Sequence, residues 1–184
     1  MLRSPVIHRV QCSWSVRVAA LAAPLGPIEP MRVEPMLQPG VALVVEAERA
    51  RDAILDRLAR AALPHTPGLA IEPLFEALVD RESKFPTGTP EGVAFPHALM
   101  PEISRTFVIP ALLRPGVRWS DQNHPPQDIV FAIFGSADTP WEHVRLLARL
   151  ARIVRRDEGL ANLRAATDPA DLLNRLIQED RLHG

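Results

Sequence analysis

The residues with chemistry to offer lie in and around one stretch, Gly92-Val93-Ala94-Phe95-Pro96-His97-Ala98, preceded by the pair Arg81-Glu82. Val93 to Phe95 suit a short buried strand, and Pro96, which has no N–H to donate, is expected to stop it. This order of residues predicts the imidazole of His97 on a rigid backbone at the rim of a sheet, facing solvent. A neutral imidazole is well populated near pH 7, and its ring nitrogen attacks phosphorus or carbonyl centres. Taken singly, the same residues have plainer descriptions. His97 reads as a turn histidine, Arg81 as a solvated charge at a helix end, and His143 as a surface residue near a helix start. Glu82 either orients Arg81 or faces water. His65 and His124 fall in proline-rich loops and His183 at the terminus, and none of the three carries a signal.

The elements that must hold His97 follow from periodicity. Val41 to Val45 is a short apolar run and a plausible edge strand. Glu46 to Leu63 repeats Ala50, Ile54, Leu58, Ala61 and Ala62 at helical spacing. A second helix is predicted from Pro73, a favoured first helical position, to about Arg81. Ser83 to Glu91 is a loop, because Pro86, Gly88 and Pro90 forbid regular structure. Thr106 to Leu113 reads as a strand, and Arg114 to Gln127 as a loop rich in Pro and Asn. Ile129 to Phe134, continuous, β-branched and aromatic, reads as a central strand covered on both faces. Thr139-Pro140-Trp141-Glu142 predicts a helix start with a capping box, continuing to about Arg156 on Val144, Leu147, Ala148, Ala151 and Val154. Asp168-Pro169 opens a last helix through Leu172, Leu173, Leu176 and Ile177. Strands interleaved with helices give a single α/β domain with helices on both faces of a sheet.

Composition removes several classes of function. A chain of 184 residues, 47% hydrophobic and 23% charged, is long enough for one domain with a real core. A formal net charge of −1 argues against a broad nucleic-acid footprint. Lys84 is the only lysine; every other one of the 21 basic residues is arginine. The single Cys12 excludes an intrachain disulfide and fits a reducing compartment. No apolar run approaches the roughly 18 residues of a spanning helix, so no direct membrane insertion is expected. The histidine spacings are wide and Cys12 sits in the leader, which argues against a metal site. Residues 1–32, dense in proline, read as a disordered leader or a mis-assigned start, with a faint signal-peptide character over Val16 to Leu25 as the alternative. Residues 33–184 read as the domain.

In Arg81-Glu82, Thr87-Gly88, Gly92 to Ala98, Asp128 to Ile133 and His143 to Ala148, the sequence resembles enzyme IIA of the phosphoenolpyruvate-dependent sugar phosphotransferase system. The resemblance is to the fructose/mannitol and nitrogen-regulatory class and covers roughly residues 33–180. It implies a three-layer α/β/α sandwich with a mixed central sheet. It also implies that His97 accepts a phosphoryl group, that Arg81 and His143 complete the active site, and that Glu82 and Thr87 contribute to binding. The donor would be a histidine phosphocarrier protein of the HPr type. The acceptor would be a IIB domain or a regulated target protein, and the setting cytoplasmic.

The chemistry suits those types. A phosphoryl group in transfer spreads negative charge over its equatorial oxygens, so catalysis is mainly positioning and electrostatics. A guanidinium such as Arg81 clamps two oxygens at once. His143, at the positive end of its helix, would stay neutral and donate one hydrogen bond to a phosphate. Such a relay needs neither metal nor nucleotide cofactor. Three departures stand out: Thr89-Pro90-Glu91 replaces the family's usual Ile-Gly step, Phe95 replaces an aliphatic residue, and the Pro115 to Pro126 loop is long. The first is expected to bring a new negative charge near the phosphate site, and it keeps open a module that binds partners but has lost efficient transfer. A further alternative, His97 as general base on a small substrate, lacks an obvious acidic partner.

Overall fold

The computed structural model describes residues 31–120 and 123–182. The expectations for most of the leader, for Cys12 and for His183 therefore lie outside the described residues. Five strands form one sheet: β1 (Leu43–Glu46), β2 (Val93–Ala94), β3 (His97–Met100), β4 (Phe107–Val117) and β5 (Gln127–Ser136). The order is β1-β4-β5-β2, with β3 also paired to β5. β1 runs parallel to β4, while β2 and β3 run parallel to β5; β4 and β5 are antiparallel, so the sheet is mixed. The helices are α1 (Arg51–Ala62), α2 (Ile71–Lys84), α3 (Pro140–Val154), α4 (Asp157–Arg164) and α5 (Pro169–Leu182).

Alternation along the two long strands builds the layers. Val130, Ala132 and Phe134 of β5 join Phe107, Ile109, Ala111 and Leu113 of β4 under α1 and α2. The intervening Ile129, Phe131 and Ile133, with Val108 and Leu112, lie under α3, α4 and α5. Successive side chains of a strand point to opposite faces, so one unbroken apolar run serves both cores. The three-layer α/β/α arrangement with a mixed central sheet follows directly.

Several boundaries differ from expectation. α1 begins at Arg51 rather than Glu46, α2 begins at Ile71, ahead of Pro73, and β4 continues through Pro115 to Val117. α3 is turned relative to the predicted face: its buried side chains include His143, Leu146, Arg149, Leu150 and Ile153, whereas Val144 is 60% exposed. Arg149, which the sequence reading did not single out, is part of that interior face: its side chain is buried against Asp180 of α5, with Nε 2.7 Å from Oδ1. The other oxygen of Asp180 accepts the Val33 N–H at 2.9 Å. The expected capping box at Thr139 is also absent: its hydroxyl makes no bond to the helix backbone, and the Glu142 N–H reaches the Thr139 carbonyl instead. Asp168 does cap α5, accepting the Asp171 N–H at 2.9 Å.

Pro96 interrupts the edge strand without ending it. β2 stops at Ala94, the Pro96 carbonyl still accepts the Ile133 N–H at 2.9 Å, and pairing with β5 resumes at His97. A proline is tolerated there because β2 and β3 form an edge, where no neighbouring strand asks for the missing N–H. His97 therefore heads a strand, half-buried, rather than standing at a solvent-facing rim.

Candidate functional site

Three basic side chains from three elements converge at this edge. Arg81 comes from the last turn of α2, His97 opens β3, and His143 lies in the first turn of α3. His97 Nδ1 is 3.0 Å from the Phe95 carbonyl oxygen. A carbonyl only accepts, so Nδ1 carries the proton and the neutral ring keeps its lone pair on Nε2. That lone pair accepts the Arg81 Nε–H at 2.8 Å, so both contacts require the same tautomer. Arg81 Nη1 also donates to the Phe85 carbonyl at 2.7 Å, at the C-terminus of its own helix. The His143 ring stands 4.4 Å from the His97 ring, centroid to centroid, tilted by 41°. Beside the pair, Gly135 leaves room for Leu99: a Cβ there would lie 2.7 Å from Leu99 Cδ2. A cleft of about 430 Å³ opens beside Arg81, His97 and Leu99, with Asp80 and Lys84 on its wall.

The electrostatics keep both imidazoles neutral. Burial lowers the His97 pKa and the Arg81 cation lowers it further, against an opposing contribution from the Phe95 carbonyl. His143 is pushed down to about 4, by burial first and then by His97 and Arg81. His143 is only 6% exposed, and its Nδ1 has no hydrogen-bond partner within the protein. No carboxylate forms an ion pair with any of the three among the described residues. Nor do the described residues contain a cluster of His, Cys, Asp or Glu able to hold a metal ion.

Glu82 does not face water, and it makes no hydrogen bond to Arg81. It is fully buried and accepts hydrogen bonds from the backbone and hydroxyl of Thr87 and from the Trp119 indole. Thr87 is thus tied to Glu82 and makes no bond to the histidine pair. The indole of Trp119 was not singled out by sequence reading, although a tryptophan inside a polar, proline-rich segment was the available signal. The Thr89-Pro90-Glu91 step is also displaced from its expected place. It precedes Val93, which pairs with Ile129, whereas His97 pairs with Ile133. Four rungs at about 3.3 Å per residue put the step roughly 13 Å from His97 along the edge. There the Glu91 carbonyl accepts from Arg164, at 2.7 Å.

Solved structures place this architecture among the IIA domains of the phosphotransferase system. The nitrogen regulatory protein IIA-Ntr from Neisseria meningitidis superposes with a TM-score of 0.70 at 19% identity, covering 77% of this chain and 97% of that one. IIA mannitol from Escherichia coli gives 0.64 at 17% identity, covering 76% and 98%. At those identities the likeness establishes the fold. The family itself is shown by sequence: residues 41–179 match the model of the phosphoenolpyruvate-dependent sugar phosphotransferase system, EIIA 2, and the chain belongs to that family. A nitrogen regulatory protein of Bradyrhizobium diazoefficiens is 32% identical over 95 residues, which span 52% of this chain and 62% of that protein. Another, from Pseudomonas aeruginosa, is 26% identical over 136 residues, 74% of this chain and 88% of its own length. The chain is therefore a phosphotransferase-system IIA domain similar to the nitrogen-regulatory type. No helix among the described residues is long and apolar enough to cross a membrane.

Proposed function

We propose that this domain, residues 33–184, is a cytoplasmic phosphocarrier. His97 takes a phosphoryl group from a histidine phosphocarrier protein of the HPr type and relays it to a IIB domain or holds it as a regulatory signal. The observation that carries this reading is the tautomer of His97, with Nδ1–H on the Phe95 carbonyl and the Nε2 lone pair toward the cleft. In transfer, the bond from phosphorus to Nε2 forms as the bond to the donor nitrogen breaks, and that electron pair returns to the donor ring. Arg81 leaves Nε2 as the phosphoryl group arrives and takes its equatorial oxygens. Neutral His143 donates a ring N–H to a third oxygen. Phe85, Leu99, Trp141 and Val144 are exposed large apolar side chains close to these residues in chain or space, and they give a macromolecular donor an apolar footing. A solved complex of E. coli IIA mannitol with its phosphorylated IIB, sharing this fold at a TM-score of 0.62, supports a IIB-type acceptor. With the Thr89-Pro90-Glu91 charge well away from His97, no observation favours a module that has lost transfer.

The test is phosphotransfer on the purified protein with phosphoenolpyruvate, enzyme I and a histidine phosphocarrier. Wild type gains an acid-labile adduct of about 80 Da, the mass of one phosphoryl group. His97→Ala gains none while its melting temperature is retained. An adduct of equal yield on His97→Ala overturns the assignment.

A further inference from the structure

The placement of Arg81 rests on a second, buried set of contacts that the reaction itself does not use. Glu82 follows Arg81 in the last turn of α2 and points into the interior, at 0% exposure. Its carboxylate accepts three donors: the Thr87 N–H, the Thr87 hydroxyl at 2.8 Å and the Trp119 indole N–H at 2.8 Å. Trp119 is itself 3% exposed and lies against the same loop, since a Cβ on Gly88 would come within 3.2 Å of the Trp119 Cβ. Between Glu82 and Thr87 the chain leaves the helix, and the carbonyl that receives Arg81 Nη1 belongs to Phe85, inside that short loop. One end of the guanidinium's support is therefore set by where Glu82 draws the loop. Its other end is His97 Nε2.

We infer that Glu82 and Trp119 are positioning residues for phosphoryl transfer, acting through the Phe85 carbonyl to hold Arg81 on His97. The inference rests on His97 being the phosphoryl acceptor, and its chemistry is specific. A buried carboxylate bonded by an indole N–H and by both donors of one threonine fixes a loop far more stiffly than solvated contacts do: Oε1 takes the Thr87 N–H and the indole together, and Oε2 has the Thr87 hydroxyl, so each donor lost weakens a buried charge that water does not reach. A side chain lacking the N–H cannot do this. Trp119 thereby couples the segment before β5 to the Arg81 guanidinium, without touching the reacting atoms.

Trp119→Phe removes the donor together with part of the buried ring, Thr87→Val removes the hydroxyl at nearly constant volume, and Glu82→Gln keeps the shape and removes the charge. The rate of His97 phosphorylation is expected to fall about threefold in Trp119→Phe and about tenfold in Glu82→Gln, since a hydrogen bond to a buried charge is the stronger kind. The KM for the phosphocarrier donor should stay unchanged, because the loss is one of alignment. In the Arg81→Ala background, none of these substitutions should reduce the rate further, since Arg81 is what they position. A merely structural role predicts the opposite, with the effects multiplying in the double variants, and that outcome overturns the inference. A second readout needs no transfer at all. Arg81 holds the His97 pKa down, so loosening it moves the His97 titration, followed by NMR, to higher pH. An unmoved titration in a folded Trp119→Phe protein defeats the positioning role. Failure of wild type to accept phosphate would defeat the carrier reading, while the NMR titration would still decide this one. If Glu82→Gln fails to fold, Trp119→Phe and Thr87→Val carry the same test.

Discussion

Two clusters of buried polar groups flank α3, and they are built on opposite terms. Near its C-terminal half, Arg149 meets Asp180, whose second oxygen takes the Val33 N–H; positive charge, negative charge and hydrogen bonds all close on one another. Near its N-terminus, His143 meets His97 and Arg81, three basic groups with no carboxylate bound among them and one ring nitrogen left unpartnered. The first arrangement is complete as it stands. The second is complete only when an anion arrives. An interior that satisfies its charges in one place and leaves them waiting in another marks where binding energy is reserved for a ligand.

The sharpest way to break this contrast is to strip the closed cluster. Arg149→Leu leaves the Asp180 charge buried without its cation and is expected to destabilise the fold by about 3–5 kcal/mol. Asp180→Asn added to it should restore much of that, as read by urea denaturation, with phosphorylation per folded molecule unchanged. Stability losses at Arg149 comparable to a surface ion pair would show that the pair is not closed as described. Next in size is Arg81→Lys. A point charge cannot hold two equatorial oxygens in one plane, so the transfer rate is expected to fall about a hundredfold with little change in melting temperature. A large stability loss instead would make Arg81 part of the closed kind.

Smallest, and most telling, is the response to pH. His143 titrates at about 4 in the folded protein and near the ordinary histidine value when unfolded. Between those values the unfolded chain binds more protons, so this contribution to stability is fully present above about pH 6.5 and is lost as pH falls toward 4. His97, depressed for the same leading reason, acts in the same direction. Phosphorylation should weaken or reverse the effect at His143, because a dianion beside the ring favours its protonated form. NMR titration of the two histidines, with and without the phosphoryl group, checks it; a His143 pKa that does not rise on phosphorylation would separate that ring from the phosphate.

Much of this was legible from residue types. The Ile129 to Phe134 run announced a strand covered on both faces, and it is buried throughout. Interleaved periodicities gave the layers, and the Gly92 to His97 stretch pointed to the site where Arg81 and His143 converge. What stayed hidden depended on partners distant in sequence. Arg149 went unremarked because nothing local reveals Asp180, 31 positions on. Glu82 looked like a neighbour for Arg81 because adjacency in sequence suggests contact, whereas consecutive helical residues point about 100° apart. The Thr89-Pro90-Glu91 step seemed close to His97 because only a strand register shows how far an extended chain travels in a few residues.

The break at Pro96 has one more consequence, in protection against self-association. An edge strand normally offers an unbroken row of backbone donors and acceptors to any other extended chain. Here the edge is divided into two residues of β2 and four of β3, separated by a ring with no N–H, and Gly88 already covers part of β2 by bridging to Ala94. A strand from another molecule finds no continuous register along it. The same proline that sets His97 at the head of β3 thus discourages cross-β pairing of this edge with copies of itself.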